Sequence, residues 1–221
     1  MSRPARDELL KALAAAFAGV GASLASRVRR ARRESLYEVY VAGLLVGSAQ
    51  AAGAKPEVRD GSDKPSKVLT LRRKPGRICG DPKFGFVLLA GPNRYMELHT
   101  DIQVIGRSGT RHEIDVALLG RQRCVKARAA SADPARAGLR LLAECKFYSS
   151  PLPLHTGREF AGLIAEMRPT KPALVTSAGT GGTDDLVQFV GGRTFPGLVP
   201  KAAAAESVFR AWADAAMAAI L

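Results

Sequence analysis

The feature that most constrains this chain is a change of hydrophobic period near residue 84. Before it, apolar residues recur at three- and four-residue steps; after it, they alternate. Residues 84–89 and 95–105 read as strands, separated by the hairpin signal Gly91-Pro92-Asn93. On the second of them, Met96, Leu98, Ile102 and Val104 would share one face, and Glu97, His99, Asp101 and Gln103 the other. Gly106 to Gly109 turns the chain into a further strand at 112–119, and a long basic insertion, 120–138, precedes a strand at 139–148. A helix from Thr156 to about Met167, a buried strand at 172–177, a short helix near 183–190 and a strand near 195–199 follow. Antiparallel hairpins followed by a strand–helix–strand crossover imply a mixed sheet flanked by helices, in the α/β or α+β class.

Helical patterns lie on both sides of this region. Leu10, Leu13, Phe17, Val20, Leu24 and Val28 form one stripe, weakened by Gly19 and Gly21. A second helix at 34–52 is apolar nearly all round and is therefore expected to be buried. The chain thus divides into a basic amphipathic N-terminal helix (1–33), a core (34–200) with its insertion, and a C-terminal helix (201–221). The N-terminal stripe and Phe209, Trp212, Met217 and Leu221 could pack on their own domain or form a homodimer interface.

Charge narrows the partner. The formal net charge is +13 with a pI near 10.2, and it is unevenly spread. Residues 1–33 carry +6, residues 55–94 carry +6 and residues 121–140 carry +5, leaving −4 for the rest. Three like-signed clusters favour a polyanion, most simply nucleic acid, or else an anionic membrane. Arg27 to Arg33 form one cluster; Arg72, Arg73, Lys74 and Arg77 a second; Arg121, Arg123, Lys126 and Arg128, in an insertion expected to begin and end near the charged residues of its flanking strands, a third. Aromatic residues make up only 6% of the chain, which favours a duplex groove over a single-strand stacking platform. The longest apolar run is too short to span a bilayer, and the three cysteines lack metal-ligand spacing. With a poor signal-peptide pattern, these point to a cytoplasmic protein and no membrane. Gly179 to Gly182 lacks the spacing of a P-loop or dinucleotide fingerprint, so no organic cofactor is expected.

Three charges sit on otherwise apolar strands: Asp115, then Glu144 and Lys146 in Ala143-Glu144-Cys145-Lys146. Alternation places Glu144 and Lys146 on one face, with Ala143, Cys145 and Phe147 on the other; it places Asp115 with Glu113, Ala117 and Leu119. Burying an unpaired charge costs several kcal/mol. These groups could therefore satisfy one another as an ion pair, or hold a divalent cation that prefers oxygen ligands. Glu38 is the one acid well inside the apolar second helix. Glu113, His112, His99 and Glu97 are weaker candidates, and Thr156-Gly157-Arg158-Glu159 reads as a helix-capping box.

An Asp on one strand, Glu-x-Lys on the next, then a helix and a buried strand resembles the PD-(D/E)XK, or restriction-endonuclease-like, nuclease superfamily over about 34–199. Ile114 stands where the pattern has its nominal Pro, and the segment from Asp115 to Glu144 is long. The resemblance implies that Asp115, Glu144 and the Cys145 backbone carbonyl ligate Mg2+, with Mn2+ as a substitute. Glu38 would be an auxiliary ligand, and Lys146 would position water or steady the charge on phosphate. It implies a DNA endonuclease leaving 5′-phosphate and 3′-hydroxyl ends, in restriction, defence or repair. Arg72, Arg73, Lys74, Arg121, Arg123, Lys126, Arg128 and Arg158 would then meet phosphates. A non-catalytic nucleic-acid-binding subunit that retained the fold is the alternative, as is an assembly protein with its acids merely paired.

Overall fold

The structure, a computed structural model, describes residues 5–21, 23–70, 72, 75–79 and 83–221. The elements run α1 (Arg6–Ala18), β1 (Ser23–Leu24), α2 (Ser26–Arg29), α3 (Arg33–Ala51), β2 (Lys55–Arg59) and β3 (Val68–Leu69). Then come β4 (Phe86–Ala90), β5 (Tyr95–Ile105), β6 (Arg111–Gly120), α4 (Arg121–Ala129) and β7 (Leu139–Lys146). The chain ends with α5 (Leu154–Met167), β8 (Lys171–Thr176), α6 (Asp184–Phe189), β9 (Arg193–Phe195) and α7 (Ala203–Ile220). Seven strands form one mixed sheet in the order β2-β4-β5-β6-β7-β8-β9. It is antiparallel from β2 to β7 and parallel from β7 to β9, because α5 and α6 carry the chain back between the parallel strands. The mixed sheet flanked by helices agrees with the class expected from the sequence.

Each face of the sheet has its own core. One joins Leu9, Leu13 and Phe17 of α1, most of α3, and Phe209, Ala213 and Met217 of α7 to the sheet. The other packs Cys124 of α4, Phe160 and Ile164 of α5 and Val187 of α6 on the opposite face. As its apolar circumference predicts, α3 is buried along most of its length. Gly43 makes room for α1: a Cβ there would lie 2.8 Å from that of Ala16. The terminal helices are thus integral to the fold. Of the two stripes, Leu13, Phe17, Phe209, Met217 and Leu221 are buried within the chain, and Leu10, Val20 and Trp212 pack partly buried against the same core.

Three expectations need correction. The N-terminal stripe does not continue to Val28 as one helix; α1 ends at Ala18, and Gly21 takes φ 67°, after which β1 pairs with β3. The basic insertion, to which the sequence pattern assigned no element, opens with the nine-residue helix α4. The alternation on β5 also slips. Met96 and Leu98 belong to the first core, but Ile102 and Val104 belong to the second, with Asp101 at φ 48° between them.

Glu97 pins α4 to the sheet. Its carboxylate is fully buried and accepts hydrogen bonds from Arg121 (2.7 Å), from Arg128 through both amino groups, and from His99 Nε2–H (2.9 Å). Arg128 and His99 also stack on the Phe86 ring, at 4.8 and 4.9 Å from its centroid. Burial alone would push the Glu97 carboxyl up; the hydrogen bonds from His99 and Arg128 outweigh it and hold the pKa down at about 2. A depressed carboxyl contributes stability above its unfolded pKa that is lost as pH falls through the folded value. Thermal denaturation should therefore show Tm falling steeply between about pH 4.5 and 2. In Glu97→Gln, Tm should be lower by roughly 5–10 °C at pH 7, because two partly buried guanidinium groups lose their counter-charge, and flatter across the acid range.

Candidate active site

The site begins where two strands part. The β6–β7 ladder runs from Leu119–Leu139 to Val116–Ala143 and stops there. The next residue of β6 is Asp115, whose Oδ2 accepts the backbone N–H of Cys145 at 2.7 Å. A side chain thus replaces the backbone as the link between the strands. The Lys146 carbonyl accepts Ser177 N–H on the β8 side. Neighbouring residues of a strand face opposite edges, so the Cys145 carbonyl faces the gap beside Asp115.

Two further acids close on Asp115 from the other side. Asp101 lies opposite it across the β5–β6 pair, bracketed by the partners Thr100–Val116 and Ile102–Ile114. Glu38 reaches in from α3. Oxygen atoms of Glu38, Asp101 and Asp115 all lie within 4.8 Å of one another. Asp115 therefore departs from the face of Ala117 and Leu119 that strict alternation assigned to it. The helix that sequence patterning buried does aim Glu38 into the site.

Glu144 and Lys146 share a face as expected, opposite Ala143, Cys145 and Phe147, which enter the first core. Lys146 Nζ donates to Glu144 Oε1 at 2.6 Å. Their side chains are 17% and 24% exposed, so solvent reaches both. With Glu113, Thr156 and Glu159 they line a cavity of about 440 Å³ against α5. The helix starts at Leu154 after Pro153, so Thr156 is buried inside its first turn, not capping it, and Glu159 faces the cavity.

The electrostatics of this cluster are one-sided. Burial, followed by the charge of Glu144, pushes the Asp115 carboxyl well up, against the pull of Lys146 and the Cys145 N–H. Burial, followed by Asp101 and Asp115, raises Glu38; burial and Glu113 raise Asp101; burial and Glu144 raise Glu113. For Lys146, burial works toward neutrality, but Glu144 and Asp115 overcome it and hold the ammonium charged. Arg72 also opposes the acids, from beside Asp101. Glu38 Oε2 and Asp101 Oδ2 are buried without a hydrogen-bond donor. Converging hard oxygens, unmet donor demand and excess negative charge fit a divalent cation of the Mg2+ or Mn2+ type.

The basic residues separate into two groups. Arg123, Lys126 and Arg158 are exposed. Arg121 is bound to Asp63 and Glu97, and Arg128 to Glu97, so neither is a free surface cation. Arg72 is 5% exposed and donates to the Arg77 carbonyl, again away from any surface stripe. Arg73 and Lys74 lie outside the described residues. The insertion also sits far from the carboxylates. Gly120 is five residues beyond Asp115, roughly 17 Å along the strand. Asp101 is the site residue the sequence did not single out; its signal is that a hairpin turning at 106–109 sets it across from Asp115.

Comparison with known proteins finds no matching family model, curated protein or solved structure. No helix among the described residues is long and apolar enough to cross a membrane.

An acid whose folded pKa is raised destabilises the fold as pH rises from its unfolded pKa toward the folded one. Asp101→Asn should therefore have a higher Tm than the wild type at pH 8, a difference that vanishes near pH 4. Added Mg2+ or Mn2+ should raise the wild-type Tm at pH 8 by mass action, and raise that of Asp101→Asn less. Calorimetric scans with and without cation measure both effects.

Proposed function

We propose that this chain is a metal-dependent DNA endonuclease of the restriction-endonuclease-like type. The observation that carries the reading is that Asp115, where β6 and β7 part, accepts the Cys145 N–H, the residue flanked by the ion-paired Glu144 and Lys146. The element order supports it: α3, the antiparallel strands β5, β6 and β7, the crossover α5 and the parallel strand β8 follow the order that the resemblance implies.

Asp115, backed by Asp101 and Glu38, and Glu144 from the neighbouring strand would hold the cation, with the Cys145 carbonyl as a backbone ligand. Bound there, Mg2+ or Mn2+ supplies a Lewis acid for the phosphate. Lys146, kept charged by Glu144 and Asp115, donates to phosphate oxygens as negative charge gathers on them during attack by water. The in-line displacement breaks the bond to the 3′ oxygen, leaving a 5′-phosphate and a 3′-hydroxyl. The exposed Arg123, Lys126 and Arg158 supply backbone attraction without reading sequence.

Supercoiled plasmid incubated with the protein and Mg2+ should be nicked or linearised, and EDTA should abolish this. Asp115→Asn, Glu144→Ala and Lys146→Ala should each lower the rate by at least about a hundredfold, the scale of losing one transition-state contact. Gel shifts in EDTA should show DNA binding retained in all three. Equal cleavage by wild type and Glu144→Ala overturns the catalytic reading.

A further inference from the structure

A second cavity, of about 700 Å³, lies at the opposite end of the β5–β6 hairpin from the carboxylates. It opens beside the start of β5, the end of β6 and the first turn of α4. Arg59, Arg94, Arg121, Arg123 and Arg140 line it, and among the described residues no Asp or Glu does. Two of these are already neutralised: Arg59 pairs with Glu57 and Asp63, and Arg121 with Asp63 and Glu97. The side chains of Arg94, Arg123 and Arg140 are exposed and have no ion-pair or hydrogen-bond partner among the described residues.

Three unpaired guanidinium groups around one concavity repel one another, and an anion removes that repulsion. Arginine forks match phosphate oxygens two at a time. The α4 backbone adds to this preference. Gly120 caps the helix without a side-chain hydrogen bond, the first turn holds no acid, and its residues from Gly120 to Arg123 all line the cavity. Gly138 keeps the wall thin, since a Cβ there would come within 3.0 Å of that of Arg123.

The cavity is not only basic. Tyr95 stands at its edge 60% exposed, with Leu88 and Met96 in the wall beside it. An exposed ring next to clustered arginines offers a π-face for a base within reach of phosphate ligands. The volume lies in the range of small-molecule pockets of about 300–1,000 Å³.

We propose that this cavity is a nucleotide pocket separate from the carboxylate site, with Arg94, Arg123 and Arg140 on the phosphates and Tyr95 against the base. The nucleotide is either free in solution or an unpaired unit of a nucleic-acid strand. The pocket shares Arg123 with the proposed DNA-binding residues but involves neither Asp115 nor Glu144, which do not line it.

The full chain in EDTA is titrated with two probes: a methylanthraniloyl-labelled ATP and a fluorescein-labelled twelve-residue oligothymidylate. At least one should bind. Arg123→Ala with Arg140→Ala should weaken that binding by more than about tenfold, through loss of charge-assisted contacts. Tyr95→Ala should weaken it by roughly tenfold through lost stacking. Arg107→Ala, an exposed arginine outside the cavity, and Glu144→Gln should leave the labelled-ATP affinity unchanged. Binding of labelled ATP assigns the pocket to free nucleotide, and binding of the oligonucleotide alone assigns it to a strand. The proposal is overturned if neither probe binds below about 1 mM, or if the double arginine variant binds as well as the wild type. A plasmid-cleavage failure in the same preparation would count against the nuclease reading alone.

Discussion

The parting of β6 and β7 is the constraint from which the rest of the site follows. A sheet that continued its ladder past Val116–Ala143 would use up the Cys145 backbone groups and leave no gap for a carboxylate. Asp115 ends the ladder and satisfies the Cys145 N–H that the missing partner would have taken. Its own charge is then half-stranded among apolar strands. Glu144 and Asp101 increase that stress, and Lys146 and the Cys145 N–H offset it in part. Such an arrangement sacrifices stability for a place where positive charge is strongly favoured.

The long β5–β6 hairpin sets the chemistry at a distance. One end carries the carboxylates and the other the arginine-lined cavity, with four residues of β6 between Asp115 and Gly120. An antiparallel pair keeps its turn-proximal and turn-distal ends apart by the strand rise alone, so neither charge cluster neutralises the other. Glu97 makes this possible for the basic end. By taking up Arg121 and Arg128 it anchors α4 on the sheet while Arg123 and Lys126 point outward from the same helix.

Much of this was legible from pattern. The strands β4, β5, β6 and β7, the buried helix α3 and the shared face of Glu144 and Lys146 follow directly from residue spacing, because side-chain direction in regular structure is periodic. Where the period fails, reading fails with it. The positive φ of Asp101 and the slip of alternation around it are not encoded in spacing, so Asp101 passed as an ordinary polar strand residue. The split of the basic residues into paired and free was equally hidden. Arg121 and Arg123 are two positions apart and chemically alike; what separates them is that Glu97 and Asp63 lie under one and not the other.

By itself the sequence determined the class of fold, the burial of α3, the strands that carry Asp115, Glu144 and Lys146, and the excess of positive charge. These are local or compositional properties, and each residue contributes to them through its immediate neighbours in the chain. Tertiary structure alone decided that Glu38 and Asp101 join Asp115, that Arg59, Arg121 and Arg128 serve as internal counter-ions, and that Arg94, Arg123 and Arg140, unpaired among the described residues, stand around a cavity beside Tyr95. Electrostatic partnership depends on distance in space and on burial, and for residues 14 to 77 positions apart only the packed sheet sets either one.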